Sequence, residues 1–158
     1  MIKKLPYAFL VIGCLIADQL TKLWVNAKIP YLGSVPVIPG FFSLTHIKNR
    51  GAIFGFFDHK GGGELKFIII TVCAVLALVI VAVYFFKSSV SDRLTLAGLS
   101  FVMAGALGNL VDRFLKGSVT DFLDFYIKHW HWPFFNVADL CVTTGSCLLL
   151  LTLFIRRK

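Results

Sequence analysis

Acid is scarce in this chain. Eight of 158 residues are aspartate or glutamate, against sixteen lysines and arginines, for a formal net charge of +8. Cysteine is also scarce and never metal-spaced. Cys14, Cys73, Cys141 and Cys147 all fall inside apolar runs, with no CxxC and no Cys/His ligand set. That excludes a zinc ribbon or a disulfide framework and leaves four small apolar residues. There is no low-complexity linker and no internal repeat, so neither a string of modules nor two related halves is expected. The basic excess does not mark a nucleic-acid binder. The lysines and arginines flank apolar runs, and no soluble basic module is present.

What is abundant is hydrocarbon. The chain is 58% hydrophobic with a mean hydropathy of +0.83. A soluble domain averages about 45–50% apolar, so the excess calls for a membrane. One domain with four spans of roughly 20 residues fits the length. Residues 67–86, FIIITVCAVLALVIVAVYFF, carry no charge between Lys66 and Lys87. Residues 94–112 form a second span, rich in small residues that let helices approach closely in lipid. Residues 137–155 form another, before Arg156-Arg157-Lys158. The fourth is residues 5–25. Ile12-Gly13-Cys14 resembles a lipobox, yet the apolar run continues through Leu15, Ile16 and Ala17. A cleavable signal would turn polar there, so this segment is read as a retained span.

Lys3, Lys4, the short KSSVSDR loop and the C-terminal Arg156-Arg157-Lys158 place seven basic residues in very short segments on one side. Their density puts both termini in the cytoplasm. The outer loops are then 27–65 and 113–136. The first mixes β-formers with Pro30, Gly33, Pro36, Pro39 and Gly40, which predicts short strands and turns on the outer membrane surface. Gly61-Gly62-Gly63 reads as a flexible joint before the next span. Trp130, Trp132, Phe134 and Phe135 resemble an interfacial aromatic belt.

With this topology, polar groups from three spans reach one membrane level. Asp18 and Lys22 end the first span; Asn109, Asp112 and Arg113 end the third; Asn136 and Asp139 begin the fourth. Ionisable groups in a bilayer cost at least a few kcal/mol and therefore pair or serve function. Asp18 and Lys22, four residues apart, share a helix face and can pair. Asp112 and Arg113 are adjacent, so each needs a partner elsewhere. Asn109 shares a face with Arg113, where the two could hold loop or substrate backbone.

Asp121, Asp124 and Asp139 remain. Asp139 lies in a first helical turn and could act as a cap. The run VTDFLDF reads as a short interfacial helix or as extended chain. In a helix Asp121 and Asp124 share a face, and in a strand they oppose each other. Two carboxylates held close share a proton, one activating water while the other polarises a carbonyl. No Ser-His-Asp alternative emerges, because His46, His59, His129 and His131 all fall in the outer loops. His129 and His131 form an HxH pair, read as interfacial rather than metal-binding. Asn49-Arg50-Gly51 is a turn able to present backbone groups to a ligand.

Five blocks together resemble the bacterial lipoprotein signal peptidases, or signal peptidase II. They are DQLTK at 18–22, NRGAIFG at 49–55, GALGNLVDR at 105–113, VTDF at 119–122 and FNVAD at 135–139. The resemblance covers essentially the whole chain. It implies an integral membrane, mainly α fold: four transmembrane helices, a small extracytoplasmic β-cradle and a short interfacial helix. It implies removal of signal peptides from diacylglyceryl-modified prolipoproteins, before the lipidated cysteine. The aspartates of its two acidic blocks correspond to Asp121 and Asp139, the expected catalytic pair, and Asp124 lies outside the matched positions. Asp18, Lys22, Asn49, Gly51, Asn109, Arg113 and Asn136 match supporting or substrate-binding positions. Ala104, Arg50 and Ile53 depart from or vary within the pattern without touching the pair. No metal or cofactor is expected. The expected partners are lipidated prolipoprotein signal peptides and membrane lipid, with the protein a monomer in the inner membrane and its site near the outer face. A proton-coupled transporter would want its carboxylates at the midplane, often with inverted repeats. An assembly factor would not need Asp121 and Asp139 together.

Overall fold

The computed structural model describes residues 2–51 and 63–155. A single 3-10 turn, Ile2–Lys4, leads into helix α1, Leu5–Lys28. Strands β1, Ser34–Ile38, and β2, Phe42–Asn49, follow. Helices α2, Gly63–Lys87, and α3, Arg93–Lys116, come next. Strands β3, Val119–Ile127, and β4, Trp130–His131, precede helix α4, Val137–Ile155. All four helices are long and apolar enough to cross a membrane. Four such helices with a small antiparallel sheet are the architecture expected from the sequence.

Helix α3 is the centre of the bundle. Its small residues are the reason. Gly105 lies so close to the Ala138 carbonyl that a Cβ there would overlap it, and a Cβ on Gly108 would meet Asp18 Oδ2 at 2.5 Å. On α4, a Cβ on Gly145 would meet the Gly98 carbonyl at 2.5 Å. In lipid such contact gains dispersion rather than hydrophobic energy, so close backbone approach is what holds α3 to α4. Helix α2 is apolar and mostly exposed, as a lipid-facing helix should be. Its C-terminal end is fastened to the start of the chain. Lys4 Nζ donates to the carbonyls of Phe85 (2.7 Å) and Phe86 (2.9 Å), and its charge complements the helix C-terminus.

Helix α3 runs past the expected limit at residue 112 to Lys116, so Arg113 is helical and not the first residue of a loop. Gly117, at φ +65°, turns the chain off the helix, its N–H donating to the Arg113 carbonyl at 3.1 Å. Only a residue without a Cβ adopts this left-handed end at little cost.

The run VTDFLDF, left open by the sequence, is strand. The sheet has order β1-β2-β3-β4, every pair antiparallel. Ile47 pairs with Asp121, Lys48 with Thr120 and Asn49 with Val119. The register shifts between Leu44 and Ile47, where β2 carries an extra residue opposite β3. Phe122 turns from the sheet onto Val25 and Ile29 of α1, a small core that seats the sheet on the bundle. The short interfacial helix is not found among the described residues. Ile53, His59, Gly61 and Gly62 lie outside them, as do residues 52–55 of the second sequence block.

Candidate active site

Lys22 anchors the polar end of the bundle. It is fully buried, and each of its three N–H donors has an acceptor. Nζ lies 2.8 Å from Asp18 Oδ2, 3.2 Å from Asp112 Oδ2 and 3.0 Å from Asn109 Oδ1. The i,i+4 pair expected from the sequence is therefore half of a larger cluster. Asp18 is also a cap. Its Oδ1 accepts the Ala138 N–H at 2.8 Å, at the start of α4. Asp112, whose partner the sequence left unnamed, takes Lys22, Lys116 Nζ at 2.7 Å and the Thr120 backbone N–H at 3.1 Å.

Asp139 and Asp121 stand above this cluster. Asn136 and Asp139 form a reciprocal capping pair at the start of α4. Asp139 N–H donates to Asn136 Oδ1 at 3.0 Å, and Asn136 N–H donates to Asp139 Oδ2 at 3.1 Å. The capping role considered for Asp139 is thus real, but it uses one carboxylate oxygen. The other, Oδ1, accepts from Asn109 Nδ2 at 2.8 Å. Asn109 is therefore polarised from behind by Lys22 and turned toward Asp139.

Asp121 is 3% exposed. Its Oδ1 accepts from Asn136 Nδ2 at 2.7 Å and its Oδ2 from Asn49 Nδ2 at 2.9 Å. Asn136 thus touches both carboxylates, one through its side-chain amide and the other through its backbone. Asn49 comes from the end of β2. Its amide is oriented by the Gly51 N–H, which donates to Asn49 Oδ1 at 2.7 Å. Gly51 sits at φ +102°, open to glycine and strained for other residues. Burial pushes the Asp121 carboxyl up to about 6; the Asn49 amide opposes this and the Asp139 charge adds to it. A carboxyl in that range can hold or release a proton near neutral pH.

Arg113 is half-buried and interacts electrostatically with Asp139, Asp121 and Asp112. Among the described residues it forms no ion pair within 4 Å. It places a cation beside the two carboxylates.

Asp124 is separated from this site. Three residues along a strand from Asp121, it faces the other side of β3. It accepts from Thr45 Oγ1 at 3.1 Å, and its Oδ1 lies 2.7 Å from His131 Nδ1. His131 of the HxH pair therefore holds β4 to β3, and no metal-type cluster of three or more ligands occurs among the described residues. Trp130 and Trp132 are exposed, as an interfacial belt requires, while Phe135 turns in to stack on Phe125 at 5.9 Å. The four cysteines are free.

All nine residues singled out by sequence fall in this one region, Asp121 and Asp139 among them. Sequence reasoning missed Gln19, whose amide donates to Asp18 Oδ2 and the Gly108 carbonyl. It also missed Asn26 and Thr120, joined at 3.2 Å across α1 and β3. A polar residue four positions after Lys22 on the same helix face was the available signal for Asn26.

Comparison with known proteins agrees with this geometry. The family model described as "Signal peptidase (SPase) II" matches residues 10–155. The lipoprotein signal peptidase of Geobacter sulfurreducens is 44% identical over 142 residues, covering 88% of this chain and 85% of that protein. That of Yersinia pseudotuberculosis is 39% identical over 146 residues, covering 92% and 85%. A solved structure titled "Bacterial membrane enzyme structure by the in meso method at 2.3 A resolution" superposes with a TM-score of 0.79 at 33% identity, covering 97% of this chain and 90% of the other. The chain belongs to the signal peptidase II family of aspartic-type hydrolases.

Proposed function

We propose that this multi-pass bacterial membrane protein cleaves lipoprotein signal peptides with Asp121 and Asp139 as its catalytic pair. The observation that carries the reading is Asn136, which bonds one carboxylate from β3 and one from α4 at once. The two acids are held on separate elements around a common amide, an arrangement a purely structural cap would not need.

The substrate is a prolipoprotein whose cysteine already carries a diacylglyceryl group. Its signal helix lies among the spans, and its acyl chains stay in lipid. A water sits between the carboxylates. The ionised carboxylate takes a proton from this water as its oxygen attacks the scissile carbonyl carbon. The protonated carboxyl donates to the carbonyl oxygen as charge develops there. Collapse of the tetrahedral species breaks the C–N bond: the leaving amine takes a proton from the acid formed in the first step, and a hydroxyl of the tetrahedral carbon returns its proton to the second carboxylate as the new C=O forms. The pair shares one proton and titrates as a unit. Asn49, Asn109 and Asn136 keep the oxygens aimed, and Arg113 holds substrate backbone. No metal enters these steps.

The termini lie in the cytoplasm and the site near the outer face of the inner membrane, in keeping with the dense basic segments at residues 3–4, 87–93 and 156–158. The protein acts as a single chain. The test is to make Asp121→Asn and Asp139→Asn separately, verify folding, and incubate each with lipidated precursor in micelles. Loss of cleavage in both is expected. Wild-type rates in either would remove that residue from the pair.

A further inference from the structure

Thr120 precedes Asp121 and is 2% exposed. It falls at a position that none of the matched site residues occupies. In an antiparallel strand the N–H and C=O of one residue point to the same edge. Those of Thr120 point away from β2 and into the helices, where none of the described strands lies to receive them. β4 pairs only with Tyr126 and Ile127, and the Phe135 backbone reaches no further back than Phe122.

Side chains receive them instead. Asp112 Oδ2 of α3 accepts the Thr120 N–H at 3.1 Å. Asn136 Nδ2, before α4, donates to the Thr120 carbonyl at 3.4 Å. Thr120 Oγ1 accepts from Asn26 Nδ2 of α1 at 3.2 Å. The clamps are themselves fixed. Asp112 is fully buried between Lys22 and Lys116, and Asn26 Nδ2 also donates to the Lys22 carbonyl at 2.6 Å. Every polar group of Thr120 is thus tied to a different helix or helix entry.

We propose that Thr120, gripped by Asp112 and Asn26, is a positioning residue that fixes where the Asp121 carboxylate stands opposite Asp139. This rests on the peptidase reading above. Neighbouring Cα atoms are linked rigidly at about 3.8 Å, so any shift of Thr120 passes to Asp121. A shift of about 1 Å in a reacting group costs about 10²-fold in rate. Asp112 and Asn26 do not touch substrate in this scheme; they act through Thr120.

The test compares wild type with Thr120→Val, Thr120→Ser, Asn26→Ala and the Asn26→Ala/Thr120→Val double variant on lipidated precursor. Thr120→Val keeps shape and backbone but removes the hydroxyl acceptor. The expected result is a drop in kcat of about three- to tenfold with KM unchanged, recovery in Thr120→Ser, and a double variant no worse than the singles. The pH–rate limb near 6 moves to lower pH, because a loosened Asp121 is better hydrated. The charges that face it, Asp139 on α4, Lys22 on α1 and Arg113 on α3, are unaltered in these variants, as is Lys48 opposite Thr120 on β2. Unchanged kcat and pH limb, with only a lower melting temperature, would overturn the proposal. Should Thr120→Val not fold, Asn26→Ala, outside the strand, decides alone. Failure of wild type to cut the precursor would strike the peptidase reading. The proposal would still be decided by the infrared carbonyl band of protonated Asp121, identified by its loss in Asp121→Asn. An identical titration of that band in wild type and Asn26→Ala would sink it.

Discussion

Replacing Asp121 by asparagine is expected to abolish cleavage while changing the sign of the stability difference with pH. In the folded protein the Asp121 carboxyl is raised from 3.8 to about 6, chiefly by burial. Each pH unit of such a shift corresponds to about 1.4 kcal/mol, so ionising this group costs the fold about 3 kcal/mol. The raised value means that the folded state binds the proton more tightly than the unfolded chain. Its stabilising contribution is complete below 3.8 and is lost as pH rises through about 6. Asparagine cannot ionise and escapes that loss. Its NH2 also cannot accept, where both oxygens of the carboxyl, protonated or not, can accept from the amides of Asn49 and Asn136. Rotating either amide to compensate would break the Gly51 or the Asp139 N–H bond. That mismatch costs about 1 kcal/mol. The variant should therefore be less stable than wild type at pH 4 by about 1 kcal/mol and more stable at pH 8 by about 2 kcal/mol. Thermal unfolding in detergent micelles, followed by a thiol-reactive dye that reports exposure of buried Cys141 after Cys14, Cys73 and Cys147 are replaced by serine, measures this. Parallel melting curves for the two proteins across pH 4–8 would refute Asp121 as the titrating group.

Other substitutions probe the frame around the pair. Lys22→Met leaves Asp18 and Asp112 buried without their common cation and should cost about 3–5 kcal/mol, read as loss of folded protein on detergent extraction. Gly105→Ala forces α3 off the Ala138 carbonyl, so both melting temperature and cleavage should fall, with Gly13→Ala, in open space on α1, as an uncrowded comparison. Asn136→Ala removes the cap of α4 and the amide on Asp121 together. The cap is worth about 1 kcal/mol, whereas cleavage should fall about 10²-fold, a disparity that a melting curve and a rate assay on one preparation expose.

The helices were legible because each is a long apolar run bounded by charge, and the Asp18–Lys22 pair because four residues return a helix to the same face. The strand character of residues 119–125 was not legible. Its partner, β2, lies more than seventy residues earlier, and hydrophobic pattern alone fits both periods there. Asp112 was recognised as needing a partner elsewhere, and it has two: Lys22 across helices and Lys116 one turn on along its own helix. The resemblance had already set Asp124 apart from Asp121, and the strand supplies the physical reason. An alternating backbone puts one in the bundle and the other against His131, an opposition the sequence stated as one of two alternatives. Asn49 was singled out by its block and turn, but the register that carries its amide to Asp121 was not legible.

The bond from Asp18 to the Ala138 N–H joins residues 120 positions apart, on helices α1 and α4. During biosynthesis α1 enters the bilayer long before α4 exists. Its Asp18 and Lys22 can neutralise one another in the interval, which makes the lone helix tolerable in lipid. The last helix then arrives to an N-terminal seat already waiting for it. A chain that has not reached α4 lacks Asp139, so a half-made copy in the membrane carries one carboxylate of the pair without the other.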